Sequence, residues 1–332
     1  TPQQANTTVA AMRILAVLAI VATLGWCGYW FIGARALDHA ISNGVQSIAE
    51  VEVADHTIRG FPSRFDVTLT EPSVSANGLH WSAPFVQVFA LSYRLNHLIA
   101  VFAHDQRLSG LGLDAVLHNE DLRASLVLEA GLDLPLDRFS LVGQGLELSL
   151  AGETHRAEGL RAASRRITER EHDVALVLET VFPDSAFMTR LDPQNIWPRR
   201  FDVLRLAAEI EVSHALDRSM IGGPEPRVQR VTFTGAHVQW EGTDITAAGR
   251  LTPGATGLLS GDLRLSVIGW RALMQRARDA GLMPAEHDAL IAMAMQGLVN
   301  AEDPNRIDAA FSVVNGVVSI GPITVGVIPR VF

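Results

Sequence analysis

The sequence predicts a mainly β protein of the α+β class: an N-terminal transmembrane helix, then a large, curved, mostly antiparallel sheet with a few helices near the C-terminus. Two observations carry this. Ile14–Gly33 is an uncharged apolar run of twenty residues bracketed by Arg13 and Arg35. Almost everything after it alternates apolar and polar residues with a period of two. A third, Asn315-Gly316 between two apolar alternating runs, is the strongest hairpin signal in the chain, because type I′ turns favour Asn-Gly.

The apolar run has the length a helix needs to cross a hydrocarbon core, about 20 residues. Ile14, Leu18, Val21 and Leu24 would face lipid, and Trp26, Tyr29 and Trp30 gather at its exit, where amphipathic rings favour the headgroup layer. A cleaved signal peptide has a shorter apolar region, about 7–15 residues, and ends in small side chains. This run ends in bulky ones, so an uncleaved single-pass signal anchor is expected. The predicted layout is a cytoplasmic tail over 1–13, the anchor over 14–33, a juxtamembrane helix over 34–49 and a periplasmic β-rich domain over 50–332. The expected address is a bacterial inner membrane, with the bulk of the chain in the periplasm.

In Arg64–Thr70, Phe65, Val67 and Leu69 alternate with Arg64, Asp66, Thr68 and Thr70, the pattern of a half-buried strand. Similar runs follow at Phe85–Tyr93, Ser125–Ala130, Gly145–Leu150, Val174–Thr180, Leu204–Val212, Val228–Thr234, His237–Glu241, Asp262–Val267, Ile307–Val314 and Val317–Ile320. Short turns between them predict antiparallel pairing. Helices are expected at Ser185–Leu191, Trp270–Ala280 and Ala285–Asn300. The charged stretch Arg156–His172 reads as a solvated connection. Pro62-Ser63-Arg64-Phe65-Asp66-Val67 and Pro198-Arg199-Arg200-Phe201-Asp202-Val203 share P-x-R-F-D-V. That repeat raises the expectation of two similar sheet units, about 50–183 and 184–332.

Composition narrows the chemistry. The 27 basic residues are all Arg, which excludes lysine-based covalent catalysis, and the net charge of −9 argues against a nucleic-acid partner. There is no phosphate-binding loop, dinucleotide fingerprint, nucleophile elbow or zinc-protease helix motif. His97, His104 and His118, with Asp105, form the closest group of possible ligands, but their spacing is not that of a metal site. Glu286-His287-Asp288 fits a helix first turn. No catalytic residue, metal or cofactor is expected, and the chain is not read as an enzyme.

A half-apolar sheet must cover its apolar face. The strands far outnumber the helices available to do so. Phe65, Val67, Leu69, Phe85, Val88 and Leu91 are therefore candidates for an apolar groove near the bilayer, able to bind or transfer lipid or another apolar ligand. The alternative is a structural or assembly subunit of a larger membrane protein complex, held by its sheet edges. Expected partners are the membrane lipid bilayer, a bound lipid or such a complex.

The segments Arg59–Pro72 (RGFPSRFDVTLTEP) and Leu79–Phe102 (LHWSAPFVQVFALSYRLNHLIAVF) resemble an alphaproteobacterial domain of unknown function, the 2125 family. The resemblance covers nearly everything after the anchor and brings no catalytic residues with it. Asn315–Pro322 (NGVVSIGP) is similar, over a short stretch, to the C-terminal strands of AsmA-like envelope proteins. That similarity implies a curved sheet and lipid traffic through an apolar groove.

Overall fold

The computed structural model describes residues 2–47, 51–76, 78–192, 195, 198–220, 223, 226–279, 293, 295–320 and 323–328. Helix α1 (Pro2–Ser47) runs without a break through the apolar stretch and the juxtamembrane segment. Its Ile14–Asn43 portion is long and apolar enough to cross a membrane. Past Gly28 the helix gains a packed side: Trp30, Gly33, Ala34, Leu37 and Ile41 are less exposed than most of their neighbours. These positions follow the spacing of one helix face.

The strands then run up and down in chain order. The first five legs are each two strands in line: β1 (Val51–Glu52) with β2 (Asp55–Arg59), β3 (Arg64–Thr70) with β4 (Ser73–Ala76), β5 (Leu79–Ser82) with β6 (Phe85–Leu91), β7 (Arg94–Phe102) with β8 (Asp105–Gly110), and β9 (Leu113–His118) with β10 (Asp121–Leu128). Longer strands follow: β11 (Leu136–Leu150), β12 (Glu153–Arg166), β13 (Glu171–Phe182), β14 (Phe201–Val212), β15 (Val228–Trp240), β16 (Thr243–Pro253), β17 (Leu259–Ile268), β18 (Arg306–Val314), β19 (Val317–Ile320) and β20 (Ile323–Val327). Every pairing is antiparallel, and each leg pairs with the next, giving one open, curved sheet. No pairing joins β20 to β1 or β2 among the described residues. The sheet passes from β13 to β14 without interruption, so the suggested halves are parts of one sheet.

A crease crosses the first legs where their paired strands meet. Ala83, Ala103 and Asn119 are buried along it. Asn119 Nδ2 donates to the carbonyls of Ala103 (3.0 Å) and His104 (2.9 Å), and its backbone N–H donates to His104 O (2.8 Å). A backbone break in the ladder is thus closed by one amide side chain.

Two sequence expectations change. Arg156–His172 is not a connection: most of it is β12 in the middle of the sheet, joined to β13 by the turn after Arg166. Its outward face carries Arg156, Glu158, Arg161 and Arg165, and its inward face holds small residues such as Ala157, Ala162 and Ser164, so charge hides the alternation. Val228–Thr234 and His237–Glu241 belong to one strand, β15, with a register shift between Phe233 and Ala236. Helix α2 (Ser185–Leu191) is as expected, its first turn capped by Asp184, whose carboxylate accepts from the N–H of Ala186 (2.6 Å). Helix α3 (Trp270–Asp279) matches the first of the C-terminal pair. Most of Ala285–Asn300, including Glu286-His287-Asp288, lies outside the described residues. The Asn315-Gly316 hairpin is present, both residues having positive φ (50° and 79°).

Candidate functional site

The registers let one face be followed across the sheet. Phe65, Val67 and Leu69 on β3 face Ala90, Val88 and Val86 on β6. These lead to Leu98, Ala100 and Phe102 on β7, then Ala124 and Leu126 on β10, then Phe139 and Leu141 on β11. The row continues through Leu160 and Ala162, Val174 and Leu176, and Leu204 and Leu206 on β12 to β14. It ends at Ile245, Leu265 and Ile307 on β16 to β18. The reverse face is polar: Arg64 and Asp66, Arg123, Arg138, Arg165, Asp173, Arg205, Arg264 and Asp308. Period-two alternation, sustained strand after strand, has built a continuous apolar surface backed by a charged one.

Its cover is uneven. At the N-terminal end α1 lies on it. Trp30 is 6% exposed and stacks on Phe65, with ring centroids 5.5 Å apart and planes 13° from parallel. Gly33 sits so close that a Cβ there would stand 2.9 Å from the Phe65 ring. At the C-terminal end, Val267, Trp270 and Ile307 form a buried cluster with Leu273, Met274, Met295 and Leu298 packed around it, and Leu251, Leu259 and Val313 form another. Between these caps, from β7 to β14, the apolar residues are only half-buried, and Leu176 is 37% exposed. The described helices cap the face at its ends and leave this middle open.

The proposed groove residues divide. Phe65, Val67, Leu69 and Val88 lie on the apolar face. Phe85 and Leu91 do not: they face Thr70 and Arg64 on the polar side. The run Phe85–Leu91 is apolar on both sides, and only pairing with β3 reveals which parity points inward.

The anchor residues also divide. Ile14, Leu18, Val21 and Leu24 are exposed, as lipid-facing positions should be. Trp26, Tyr29 and Trp30 serve the domain as well as the exit of the span. Trp26 Nε1 donates to Pro62 O (2.9 Å), Tyr29 Oη to Ser92 O (2.6 Å) and Trp30 Nε1 to Arg64 O (2.8 Å). Trp30 is buried on the sheet, so it is not a free headgroup ring.

The repeated hexapeptide has a physical role. In the first copy the Pro62 carbonyl takes an indole N–H, Phe65 packs on an indole, and Arg64 pairs with Asp66 (3.0 Å). In the second, Trp240 donates to Pro198 O (3.1 Å), Phe201 packs on Trp240 and Arg200 pairs with Asp202 (2.8 Å). A third copy, Pro304-Asn305-Arg306-Ile307-Asp308, escaped the sequence reading because Ile replaces Phe. Trp270 donates to Pro304 O (3.3 Å), and Arg306 pairs with Asp308 (2.8 Å). Each copy starts a strand by clasping it to a tryptophan.

No polar constellation suited to catalysis emerges. His97 meets Ser125, His104 meets the Asn119 carbonyl, and Asp105 pairs with His118 (2.7 Å) rather than with its sequence neighbour. The Asp105 hydrogen bond raises the His118 imidazole above its ordinary value. No group of three or more metal-binding side chains occurs among the described residues.

A family model described as an uncharacterized protein conserved in bacteria (DUF2125) matches residues 30–329. Comparison with curated proteins and with solved structures finds no significant match.

Proposed function

The chain belongs to the DUF2125 family, and we propose that it is a membrane-tethered trough that holds lipid or another apolar ligand and catalyses no reaction. In a bacterium with two membranes, α1 spans the inner one and the sheet lies in the periplasm. The observation that supports this is the half-exposed apolar face between its two capped ends. Six adjacent strands, β7 and β10 to β14, line it. At about 4.8 Å between strands the opening is roughly 24 Å long. One leaflet of a 30 Å hydrocarbon core is about 15 Å deep, so an acyl chain fits. Each methylene sheltered there gains about 0.8 kcal/mol.

Photo-crosslinking side chains placed at Leu141, Leu176 and Leu206 in cells test the reading, with Ala175 on the reverse face as the control. Lipid adducts at the first three positions, and few at Ala175, are expected. Equal labelling at all four would sink it. A second reading, a docking subunit of a larger complex, draws on the open edge at β20, where Val327 is exposed. It predicts protein adducts at that edge and no lipid in the trough.

A further inference from the structure

The hydrogen bonds between α1 and the sheet fix the height of the β-domain above the anchor. The uncharged span Ile14–Gly33, at 1.5 Å per residue, is about 30 Å long, matching the hydrocarbon core with no slack. Trp26 and Trp30 donate to the carbonyls of Pro62 and Arg64, at the turn between β2 and β3. Trp26 comes seven residues before Gly33, about 10 Å lower along the axis. That turn therefore stands abreast of the last two turns of the span, not above them. Lifting it into water would leave only Ile14–Trp26, about 20 Å of helix, to cross the core.

The neighbouring turns continue the same end. Ser92 N–H donates to Ser63 O (3.0 Å) and Asn96 Nδ2 to Leu128 O (2.8 Å), linking the turns before β3, before β7 and after β10 in one row. Their tips expose apolar side chains: Phe61, Tyr93 and Leu95, and Leu132 at 85%. Turns at the opposite end, Ala151-Gly152 and Glu241-Gly242, are small or polar, with Leu111 an apolar exception.

We propose that this row of turns is seated in the interfacial layer of the bilayer, with Phe61, Tyr93, Leu95 and Leu132 reaching below the headgroups. The domain then stands on the membrane and does not swing on its tether. The indole donors suit that setting, because they satisfy backbone carbonyls where water is scarce. Arg94, exposed beside Tyr93, is placed for a headgroup phosphate. The proposal rests on α1 spanning the bilayer, and not on occupancy of the trough.

The test uses the full chain in phosphatidylcholine nanodiscs, with Cys27→Ser as background. Single cysteines replace Phe61, Tyr93 or Leu132, with Ala151→Cys as the distal control and Val21→Cys inside the span. Each carries an environment-sensitive fluorophore, read with and without lipid bearing a nitroxide near the headgroup. The three tip labels should shift to the blue and lose most of their emission, while the Ala151 label stays water-like. Tip labels quenched no more than the Ala151 label, with Val21 quenched, overturn the docking alone. Tip labels that are shielded from water yet unquenched by lipid indicate a protein contact and also overturn it. An unquenched Val21 label overturns the anchor and the docking together.

Discussion

Trp30 joins the anchor to the domain: it stacks on Phe65, lies edge-on to Phe61 at 5.4 Å and donates to Arg64 O. Trp30→Ala should cost about 3–5 kcal/mol, the range for a buried tryptophan. Thermal unfolding of the full chain in detergent, with proteolysis between α1 and β1, reads the loss. Trp240→Phe removes only the bond to Pro198 O and should cost about 1 kcal/mol in the same assay. His172 gives a pH signature. It is buried on the apolar face opposite Ile210, its Nδ1 3.4 Å from Ser164 Oγ. Burial, and then the Arg166 guanidinium, hold its imidazole below 6.5. The folded protein therefore binds this proton less readily than the unfolded chain. The resulting stability is present above the unfolded value and is lost as pH falls below it. His172→Leu should flatten the fall of melting temperature on acidification below pH 6.5. A fall as steep as in the unaltered chain would refute that assignment.

At the scale of elements, the crease is the joint that lets five legs bend together. Asn119 holds it with two side-chain donations and is fully buried. Asn119→Ala leaves the Ala103 carbonyl and one bond to His104 unmade, at a cost of about 2–3 kcal/mol. Denaturant titration gives the magnitude, and hydrogen exchange should show β7 to β10 loosening before β15 to β18. Strand positions were legible wherever large apolar and polar residues alternate, as in Arg64–Thr70. They were hidden in β12, where the inward residues are largely Ala and Ser, and broken in β15, where the register shifts near Gly235. The third hexapeptide was hidden by a single Phe-to-Ile difference, although its proline, arginine and aspartate do the same work.

For the molecule as a whole, the open centre of the apolar face should tolerate a charge that a closed core would not. Leu176→Glu places a carboxylate at a residue 37% exposed, so the fold should survive with a small loss of stability. Lipid adducts at Leu141 and Leu206 should fall sharply. Leu251→Ala, in the closed C-terminal cluster, should do the reverse: about 2–5 kcal/mol less stable, with adducts in the centre unchanged. Melting curves and adduct yields on the same samples separate the two outcomes.

The sequence by itself determined the helix able to span a membrane, the antiparallel sheet and the lack of a catalytic motif, because length, alternation and motif spacing are local properties. It also identified the family. Which residues share a face was decided by pairing: Phe85 and Leu91 look as apolar as Val88, yet the register with β3 turns them outward. The double duty of Trp26, Tyr29 and Trp30 was decided the same way. Their ring chemistry suits a headgroup layer and a carbonyl equally, and the turn at Phe61–Arg64 reaches them only once the chain is folded. Whether the apolar face is covered depends on where α1 and α3 come to rest. Those are contacts between segments far apart in the chain, and no local pattern encodes them.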